Sequence, residues 1–569
     1  MASIRPFQPF QPFGRPRSLL TAALTLALGT VALAPTAQAS PVRVGTPRGT
    51  PTTASGAASV RPFTGLTTAQ RAELMRIART TWTFFADDVD PHTHLPLDNV
   101  TYAGGATKPT DYGRYTSAAN VGVYLWSLVS AADLGLVSKG QATRDALATL
   151  RTVAHLDRYR GFLYQWYDTT TGKVILGPGQ PACTSTTGTL DTCSFVSNVD
   201  NGWLASGLTV ARQALPGTRP LADQLLGAMD FGLFYDDRAQ THCNTNPAVA
   251  GNQPTGQMYG GYYVGSPPDD PANASHYYHN GALYSDPRIS AYMGMGRGQM
   301  PGAVWWRSWR ELPPPAPFAD CQATDPDFSW QGQWPMGGEW KTIVDPQSRR
   351  PFTVWEGHYT YPGTSLRFMP TFAGGMFEAL MADEVVPETS WAPHGFGLAD
   401  RRAAEVQIKY ATEQLHLPVW GMSPSSTPDD SGGYAGYGVA GRQFPYHGAG
   451  ATSATPNLRL AQCPDCAQET AVTPHASFLA LDVLPQQAYA NIMALRRLYP
   501  GVYGSHGFFD ALDPATGAVG HRILVLDQSM IMAALDNALR DRAMQRHWAA
   551  DPVSRMAHTY LAVEPMTLQ

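Results

Sequence analysis

Charged residues are scarce in this sequence of 569 residues: they make up only 15% of it, and the net charge is −5. A nucleic-acid-binding protein would show a basic stripe or patch and a high isoelectric point. Hydrophobic residues make up 43% of the chain, which excludes an intrinsically disordered protein. The composition therefore predicts a globular protein with a large core and no nucleic-acid partner.

Several motifs that identify common enzyme classes are absent. The sequence contains no G-x-S-x-G nucleophile elbow, no H-E-x-x-H zinc pair and no phosphate-binding G-x-x-x-x-G-K-[ST] loop. His92 and His94 could begin a metal site, but three nearby aspartates at 87, 88 and 90 favour a polar loop instead. We therefore expect neither a metal site nor a cofactor.

Long hydrophobic runs are confined to the beginning of the chain. A stretch with three arginines precedes an apolar segment at 19–33, and the A-x-A sequence at 37–39 is typical of a signal-peptide cleavage site. Residues 1–39 are therefore predicted to be a secretory signal peptide cleaved near Ala39. We expect a secreted, extracellular protein without membrane association, in which 40–63 form a flexible lead-in rich in Thr, Pro, Gly and Ala.

Cysteine is also rare, with six residues in the whole chain. In an exported protein they are candidates for disulfides. The candidates are Cys183, Cys193, Cys243, Cys321, Cys463 and Cys466. We favour the local pairs Cys183–Cys193 and Cys463–Cys466, with Cys243–Cys321 remaining. The alternative for Cys463 and Cys466 is a redox pair or half of a zinc site.

Helical periodicity recurs through 64–569, which we interpret as a single domain. Thr67 and Gln70 form a predicted capping box at the start of an amphipathic helix, whereas 117–132 is apolar on almost every side and should be interior. About twelve helical segments follow this alternation of buried and half-exposed helices. The pattern predicts an all-α fold, an (α/α)6 toroid with an inner and an outer ring of helices. Long irregular connections are expected at 235–285, 298–371 and 421–472.

One stretch, 371–383, combines paired glycines with a single glutamate in an apolar helix. Gly374 and Gly375 permit the close approach of another backbone or a ligand, because they have no Cβ. The residues after them are apolar on nearly all sides, so Glu378 should be buried. A buried carboxylate must be paired, hydrogen-bonded or functional.

Five carboxylates are predicted to lie at or before the starts of inner helices. They are Asp111, Asp200, Asp286, Glu378 and Asp527. An acidic residue at a helix start is often only a cap. Two carboxylates across one cavity, one neutral and one ionised, are also what the hydrolysis of a glycosidic bond requires. We therefore expect a two-carboxylate glycosidase site at the funnel of the toroid.

Several motifs resemble one known family. Residues 371–391, with FAGGMFEALM followed by VVPETSW, look like the signature of bacterial glucoamylase-like proteins related to endo-β-1,2-glucanases and to the catalytic domain of cyclic β-1,2-glucan synthases. Further matching stretches occur in the same order: NVDNGW at 198–203, SDPRI at 285–289, WEGHY at 355–359, VWGMSP at 419–424, GGYAGYG at 432–438, VTPHAS at 472–477 and LDQSM at 526–530. The resemblance spans about residues 70–550 and implies an (α/α)6 barrel.

The resemblance also implies site residues. The acid position falls on Asp286, where the family usually has Glu, and the base position falls on Asp527; if the acid lies elsewhere, Glu378 or Glu356 is next. Predicted substrate-binding residues, partly from the family match, are Asp111, Asp200, Trp203, Glu356, His358, Trp420, Tyr437, His475 and Gln528. The implied activity is hydrolysis of a glucan, with β-1,2-glucan favoured as the substrate and inversion of the anomeric centre expected.

Two alternatives remain open at this point. A transglycosylase or polysaccharide lyase would use the same toroid, and His475 with Tyr437 could supply the base of a lyase. A non-catalytic glycan-binding protein would explain the Asp in place of Glu at 286. In each case the expected partner is a polysaccharide or oligosaccharide, and the protein is expected to be a monomer.

Overall fold

The computed structural model describes residues 59–237, 256–265, 282–308, 310, 337–361, 363–369, 371, 374–439 and 471–569. The predicted signal peptide, most of the predicted lead-in and four of the six cysteines (Cys243, Cys321, Cys463 and Cys466) lie outside these residues. The remaining two cysteines, Cys183 and Cys193, form a disulfide, which confirms that pairing.

Helices dominate the described residues, as predicted. They are α1 (Thr68–Asp88), α2 (Ala118–Asp133), α3 (Lys139–His155), α4 (Asn198–Ala214), α5 (Arg219–Ala228), α6 (Arg288–Gly296), α7 (Ala303–Arg307), α8 (Met376–Leu380), α9 (Glu388–Trp391), α10 (Phe396–Lys409), α11 (Pro474–Leu479), α12 (Pro485–Leu498), α13 (Val525–Leu539), α14 (Ala543–Ala549) and α15 (Ser554–Leu561).

Side-chain caps form at the start of α1, where a capping box was predicted, and at the start of α2. The side chain of Thr67 accepts a hydrogen bond from the backbone N–H of Gln70, and the Gln70 side chain accepts one from Thr67 in return. Ser117 caps α2 in the same way through the N–H of Asn120. These bonds satisfy backbone donors that have no partner inside the helix.

Buried and amphipathic helices alternate along the chain. In α2 all residues from Ala118 to Ala131 are buried, and in α13 every residue except Leu526 is buried. Helix α3 buries only one stripe, which includes Ala146, Leu150 and Val153. A helix that is apolar all round must be covered on every side, whereas a one-striped helix covers its neighbour and faces solvent.

The buried helices contact one another in sequence. Helix α2 packs against both α4 and α13, α4 packs against α6, and α11 packs against both α8 and α13. Helices α6 and α8 are joined by Arg288, whose Nη1 donates to the carbonyl of Glu378 (3.1 Å) and whose Nη2 donates to that of Ala379 (2.6 Å).

Glycine allows α2 and α4 to approach closely. A Cβ placed on Gly122 would lie 2.3 Å from the carbonyl oxygen of Trp203, and one on Gly207 would lie 2.2 Å from the carbonyl oxygen of Gly122. No side chain fits at either position, so the two backbones are in direct contact.

The prediction of an all-α fold is too narrow, because short strands connect the helices. They are β1 (Asn99–Thr101), β2 (Asp111–Gly113), β3 (Tyr115–Thr116), β4 (Arg158–Tyr159), β5 (Phe162–Leu163), β6 (Tyr167–Asp168), β7 (Phe195–Ser197), β8 (Tyr235–Asp236), β9 (Gln257–Met258), β10 (Gly261–Tyr263), β11 (Gly337–Val344), β12 (Pro351–Thr360), β13 (Arg367–Phe368), β14 (Ser425–Ser426), β15 (Tyr434–Ala435), β16 (Tyr503–Gly504), β17 (Gly507–Phe508), β18 (Ala511–Leu512), β19 (Val519–Gly520) and β20 (Arg522–Leu524).

Two three-stranded antiparallel sheets stand out among them. Strand β12 pairs with β11 over eight residues, from Gly337 opposite His358 to Val344 opposite Pro351, and with β13 on its other edge. This sheet lies within 298–371, which was predicted to be a long irregular connection. In the second sheet, β1 lies between β2 and β20. This sheet therefore connects the segment after α1 to the start of α13.

Among the described residues, none of the helices has both the length and the apolar character needed to cross a bilayer.

Candidate active site

Three of the predicted carboxylates lie in the first turns of buried helices. Asp200 is in the first turn of α4, Glu378 in that of α8 and Asp527 in that of α13. Asp286 precedes the first residue of α6 by two positions, because Pro287 is the cap of that helix. The charge of Asp200 acts on Asp286, that of Asp286 acts on Glu378, and the charges of Glu378 and Asp527 both act on Tyr434, so we treat these helix starts as one cluster of acidic side chains.

Asp286 and Glu378 interact electrostatically. Burial raises the pKa of Asp286 to about 7, and the charge of Asp200 adds to this shift, while the hydroxyl of Ser285 and the charge of Arg288 oppose it. Burial raises the pKa of Glu378 well above its usual range, with a further contribution from the charge of Asp286. Both carboxyls are therefore able to carry a proton near neutral pH.

The glycines that precede Glu378 permit a close backbone approach, as the sequence predicted. Gly374 has a φ of +68°, and a Cβ there would lie 2.9 Å from the backbone N and O of Val439. The carbonyl of Gly374 accepts hydrogen bonds from the N–H of Val439 (3.2 Å) and from Nε2 of Gln407 (2.9 Å). The glycine thus lets a second backbone segment anchor the start of α8.

Asp200 is held by two polar side chains. The backbone N–H of Asp200 donates to Oγ of Ser197, the cap of α4, and Nε2 of Gln165 donates to its Oδ2 at 3.0 Å. Burial raises the pKa of Asp200; hydrogen bonds from Ser197 and Gln165 act against this, and the charge of Asp98 adds to it. These bonds hold Asp200 in place near Asp98 and Asp286, the two acids with which its charge interacts.

Asp527 is paired with His475. The Nδ1 atom of His475, at the start of α11, lies 3.1 Å from Oδ2 of Asp527, and both side chains are nearly inaccessible to solvent. The second neighbour of Asp527 is Asp510, whose pKa is raised well above its usual range by burial and then by the charge of Asp527. Both oxygens of Asp527 and both ring nitrogens of His475 are buried without a hydrogen bond, so the two side chains contact each other with their polar atoms otherwise unused.

Asp98 takes the place that was predicted for Asp111. Its backbone carbonyl accepts from the N–H of Val525 at the start of α13 (3.0 Å), and its Oδ1 accepts from Nδ2 of Asn120 in α2 (2.9 Å). Asp111 lies instead in the edge strand β2, exposed, where its Oδ1 accepts only from the N–H of Tyr112. The prediction of Asp111 at an inner-helix start is therefore wrong, because the segment from 111 to 116 forms strands.

Tyr434, on the β14–β15 hairpin, connects several of these acids. Burial raises its pKa well above the usual range, with further contributions from the charges of Asp527, Asp98 and Glu378 in that order. Its residue surface is nevertheless 36% exposed, so Tyr434 is accessible to solvent while it interacts with these acids. Tyr434 therefore marks where solvent meets the acidic cluster.

The hairpin is fixed by a second polar contact. Ser426 in β14 donates its hydroxyl to Oδ2 of Asp510 at 2.9 Å, and the N–H of Leu524 donates to Oδ1 of the same carboxylate at 3.1 Å. Sequence reasoning missed Asp98, Asp510 and Tyr434 because none of them precedes a helix; only the strand pairing brings them to the helix starts.

Glu356 and His358 lie in a different polar group. Glu356 is 3.5 Å from Nε of Arg310, which forms an ion pair with Glu564, and burial raises the pKa of Glu356 well above its usual range. Nδ1 of His358 is 3.2 Å from Oγ1 of Thr567. Both predicted substrate-binding residues thus contact the C-terminal segment rather than the carboxylate cluster, because β12 packs there.

Trp203 and Gln528 are part of the helix packing. The ring of Trp203 meets that of Trp126 edge to face at 5.6 Å, between α4 and α2. Nε2 of Gln528 donates to the carbonyl of Phe508 at 2.9 Å. These contacts place the two side chains in the core, which corrects their prediction as sugar contacts.

Trp420 and Tyr437 are both buried. Trp420 is 5% exposed, and its backbone N and O are both bonded to the side-chain amide of Asn491. Tyr437 is 3% exposed and packs in a second apolar cluster with Met422. Neither ring offers an open face for a sugar to stack on.

Comparisons with known proteins agree with this architecture. Residues 362–551 match the model of a family described as "Putative glucoamylase", which confirms the resemblance inferred from the motifs. A segment of 137 residues is 32% identical to the cyclic β-(1,2)-glucan synthase NdvB of Rhizobium meliloti (strain 1021). That segment covers 24% of this chain and only 4% of the synthase, so the chain corresponds to a small part of that protein.

Solved structures show the same fold at low sequence identity. The structure described as a "putative glucoamylase" from Bacteroides fragilis NCTC 9343 superposes with a TM-score of 0.56 at 17% identity, covering 90% of this chain and 99% of that one. The endo-β-1,2-glucanase of Chitinophaga pinensis, in complex with sophorotriose and glucose, gives a TM-score of 0.55 at 13% identity, covering 88% and 99%. At these identities the similarity establishes the fold.

Proposed function

We propose that the chain is a glycoside hydrolase whose active site is the carboxylate cluster at the starts of the buried helices. The observation that carries this proposal is the pair Asp286 and Glu378, both with raised pKa values, in the same cluster as Asp527 beside His475. Glycosidic bond hydrolysis needs one carboxyl that is protonated near neutral pH and one that is ionised.

The proposal includes an (α/α)6 toroid. Helices α2, α4, α6, α8, α11 and α13 form a closed succession of contacts, with the α6–α8 step made by the Arg288 hydrogen bonds. The amphipathic helices would then form the outer ring. The grouping of Ala57–Gln569 into one compact unit supports one catalytic domain over 64–569.

In the proposed mechanism Asp286 is the general acid. With a pKa of about 7, its carboxyl retains a proton that it can donate to the oxygen of the departing sugar. The proton leaves Asp286 as the bond between that oxygen and the anomeric carbon breaks, which gives a neutral leaving group. The hydroxyl of Ser285, 3.2 Å from Oδ1 of Asp286, then stabilises the carboxylate that remains.

Asp527 is the proposed general base. It would accept a proton from water, directly or through a substrate hydroxyl, as the water oxygen bonds to the anomeric carbon, which inverts that centre. His475 at 3.1 Å would fix the orientation of the carboxylate. Glu378, Asp200 and Asp98 are proposed to bind sugar hydroxyls. An ionised carboxylate accepts hydrogen bonds from hydroxyl groups, and a protonated carboxyl can also donate one.

The favoured substrate is a β-1,2-glucan. This choice rests on the endo-β-1,2-glucanase with the same fold and on the segment similar to a cyclic β-(1,2)-glucan synthase. We also propose secretion after cleavage near Ala39 and a monomeric protein; the Cys183–Cys193 disulfide supports an oxidising compartment.

A panel of glucans tests the proposal. The purified protein is incubated with β-1,2-, β-1,3-, β-1,4- and α-1,4-glucans, and the release of reducing ends is compared with the ultraviolet absorbance of unsaturated products. Reducing ends from β-1,2-glucan without unsaturated products are expected. Unsaturated products would show a lyase, and binding without any cleavage would show a non-catalytic glycan-binding protein.

A further inference from the structure

A second acidic cluster is connected to the proposed active site through Arg288. Asp383, Glu388 and Asp400 each place one carboxylate oxygen within 4.8 Å of those of the other two. Their exposed fractions are 3%, 0% and 0%. A fourth acid, Asp482, is close enough for its charge to raise the pKa of both Asp383 and Asp400.

Positive charge in this second cluster does not balance the negative charge. Nε of Arg288 lies 2.8 Å from Oε1 of Glu388, and Nη2 of Arg542 lies 2.9 Å from Oδ1 of Asp482. Two guanidinium groups therefore oppose four carboxyl groups, which leaves a formal excess of two negative charges if all four are ionised. Excess charge in a dry interior is costly unless a proton or a cation neutralises it.

Asp400 presents an acceptor without a partner. The hydroxyl of Tyr284 donates to its Oδ1 at 2.9 Å. Its Oδ2 is fully buried and accepts no hydrogen bond. By contrast, Glu388 is bonded by Arg288 and by the hydroxyl of Tyr292 (2.6 Å), and Asp383 is bonded by the N–H and hydroxyl of Thr389. Among the three acids Asp383, Glu388 and Asp400, Asp400 thus has an unused buried ligand atom, and both oxygens of the neighbouring Asp482 also accept no hydrogen bond.

We propose that Asp383, Glu388 and Asp400 hold a divalent cation, with Ca²⁺ preferred. Oxygen ligands stand 2.3–2.6 Å from Ca²⁺, so opposite ligands are about 5 Å apart, which matches the spread of these oxygens. Mg²⁺ demands a stricter octahedron and retains several waters, which a fully buried site accommodates less well. One divalent cation also neutralises the two excess charges.

The bound cation would fix the helix starts that carry Asp286 and Glu378. Arg288 bridges the second cluster to both, because its Nη1 donates to the carbonyl oxygens of Ser285 (3.0 Å) and Glu378 (3.1 Å) while its Nε and Nη2 hold Glu388. The cation contributes to folding stability and positioning and takes no part in the chemistry. The three proposed ligands follow no metal-binding motif in the sequence, so local patterns do not reveal the site.

Metal stoichiometry and thermal stability test the proposal without reference to activity. The full chain is treated with EDTA, dialysed and titrated with Ca²⁺ or Mg²⁺, while bound metal is measured by mass spectrometry and unfolding by calorimetry. About one Ca²⁺ per chain and a rise in the unfolding midpoint of roughly 2–5 °C are expected. Asp400→Asn, which keeps an acceptor for Tyr284, should weaken Ca²⁺ binding at least tenfold.

Asp88→Asn is the matched control, because Asp88 is also fully buried with both oxygens unpartnered but lies at the end of α1. It should leave the Ca²⁺ stoichiometry and the midpoint shift unchanged. The proposal is overturned if the metal-free protein shows no Ca²⁺ binding and no midpoint shift, since protons would then neutralise the cluster. It is equally overturned if Asp400→Asn and Asp383→Asn bind Ca²⁺ as tightly as the unaltered chain.

Discussion

Nδ1 of His475 lies 3.1 Å from Oδ2 of Asp527, and the two side chains come from the first turns of neighbouring buried helices. Both are almost completely shielded from water. Both oxygens of Asp527 accept no hydrogen bond, so they are available to accept a proton, which is what a general base needs. It is the part of the acidic cluster on which the proposed mechanism depends most.

Asp527→Asn should reduce kcat by about 10²–10⁴-fold, because the amide cannot accept a proton from water. The fold should persist, since the amide keeps nearly the same volume. Steady-state kinetics on β-1,2-glucan and thermal unfolding measure the two effects. Asp536→Asn is a control on the same helix: Asp536 is equally buried but lies far from the helix start, so its kcat should be nearly unchanged. Wild-type turnover in Asp527→Asn would remove Asp527 from the mechanism.

His475→Asn should lower kcat by roughly 10–100-fold with little change in KM. The imidazole orients Asp527 rather than holding the sugar, so its loss weakens the transition state more than the substrate complex. The kinetic constants should be measured beside the pH profile of kcat, which should change shape in the variant. An increase in KM with unchanged kcat would instead show that His475 binds substrate.

Asp286 predicts the pH dependence of the activity. The acid must be protonated, and its pKa is raised to about 7, so kcat/KM should fall as the pH rises through about 7. Asp286→Asn should abolish most of the activity, and any residual kcat/KM should no longer fall as the pH rises through about 7. Asp286→Glu, which restores the residue usual in the resembled family, should keep measurable activity. A profile that is flat between pH 6 and pH 9 would contradict the assignment.

Asp286 also predicts how the stability of the protein depends on pH. Because the folded pKa exceeds the unfolded value of 3.8, the folded state loses stability as the pH rises from about 4 to about 7, and it does not recover above that range. Asp286→Asn removes this loss. The variant should therefore unfold at a higher temperature than the unaltered protein at pH 8, and the difference should shrink towards pH 4 in calorimetry.

Glu378→Gln distinguishes a binding role from an acid role. Burial and the charge of Asp286 raise the pKa of Glu378 well above its usual range, so Gln resembles the protonated side chain that is present near neutral pH. We expect a several-fold increase in KM and a kcat within about tenfold of the original value. A kcat loss as large as that of Asp286→Asn would identify Glu378 as the proton donor.

Much of the fold follows from local sequence patterns. The alternation of apolar and amphipathic helices, the cap at Thr67 and the close approach at Gly374 are all local properties of the chain, and the structure contains them. The β11–β12 pairing was not predicted, because a hairpin inside a long Gly- and Pro-containing connection leaves no periodic signal of comparable strength.

Only those site residues that lie at helix starts could be predicted from the sequence. Asp200, Glu378 and Asp527 lie where the helical pattern begins, whereas Asp98 arrives through the pairing of β1 with β20 and Asp510 through a bond from Leu524. Glu356 was predicted to belong to the active site because a buried acid in a family motif can be either catalytic or structural. Its contact with Arg310 favours the structural role.

The central claim, hydrolysis by an acid and a base in one carboxylate cluster, is tested most directly by following β-1,2-glucan with the purified protein by proton NMR. The account predicts new reducing ends whose first-formed anomer is α, and none with Asp527→Asn under the same conditions. A β-anomer formed first would contradict inversion. New reducing ends formed equally fast by Asp527→Asn, or none with the unaltered protein, would contradict the account as a whole.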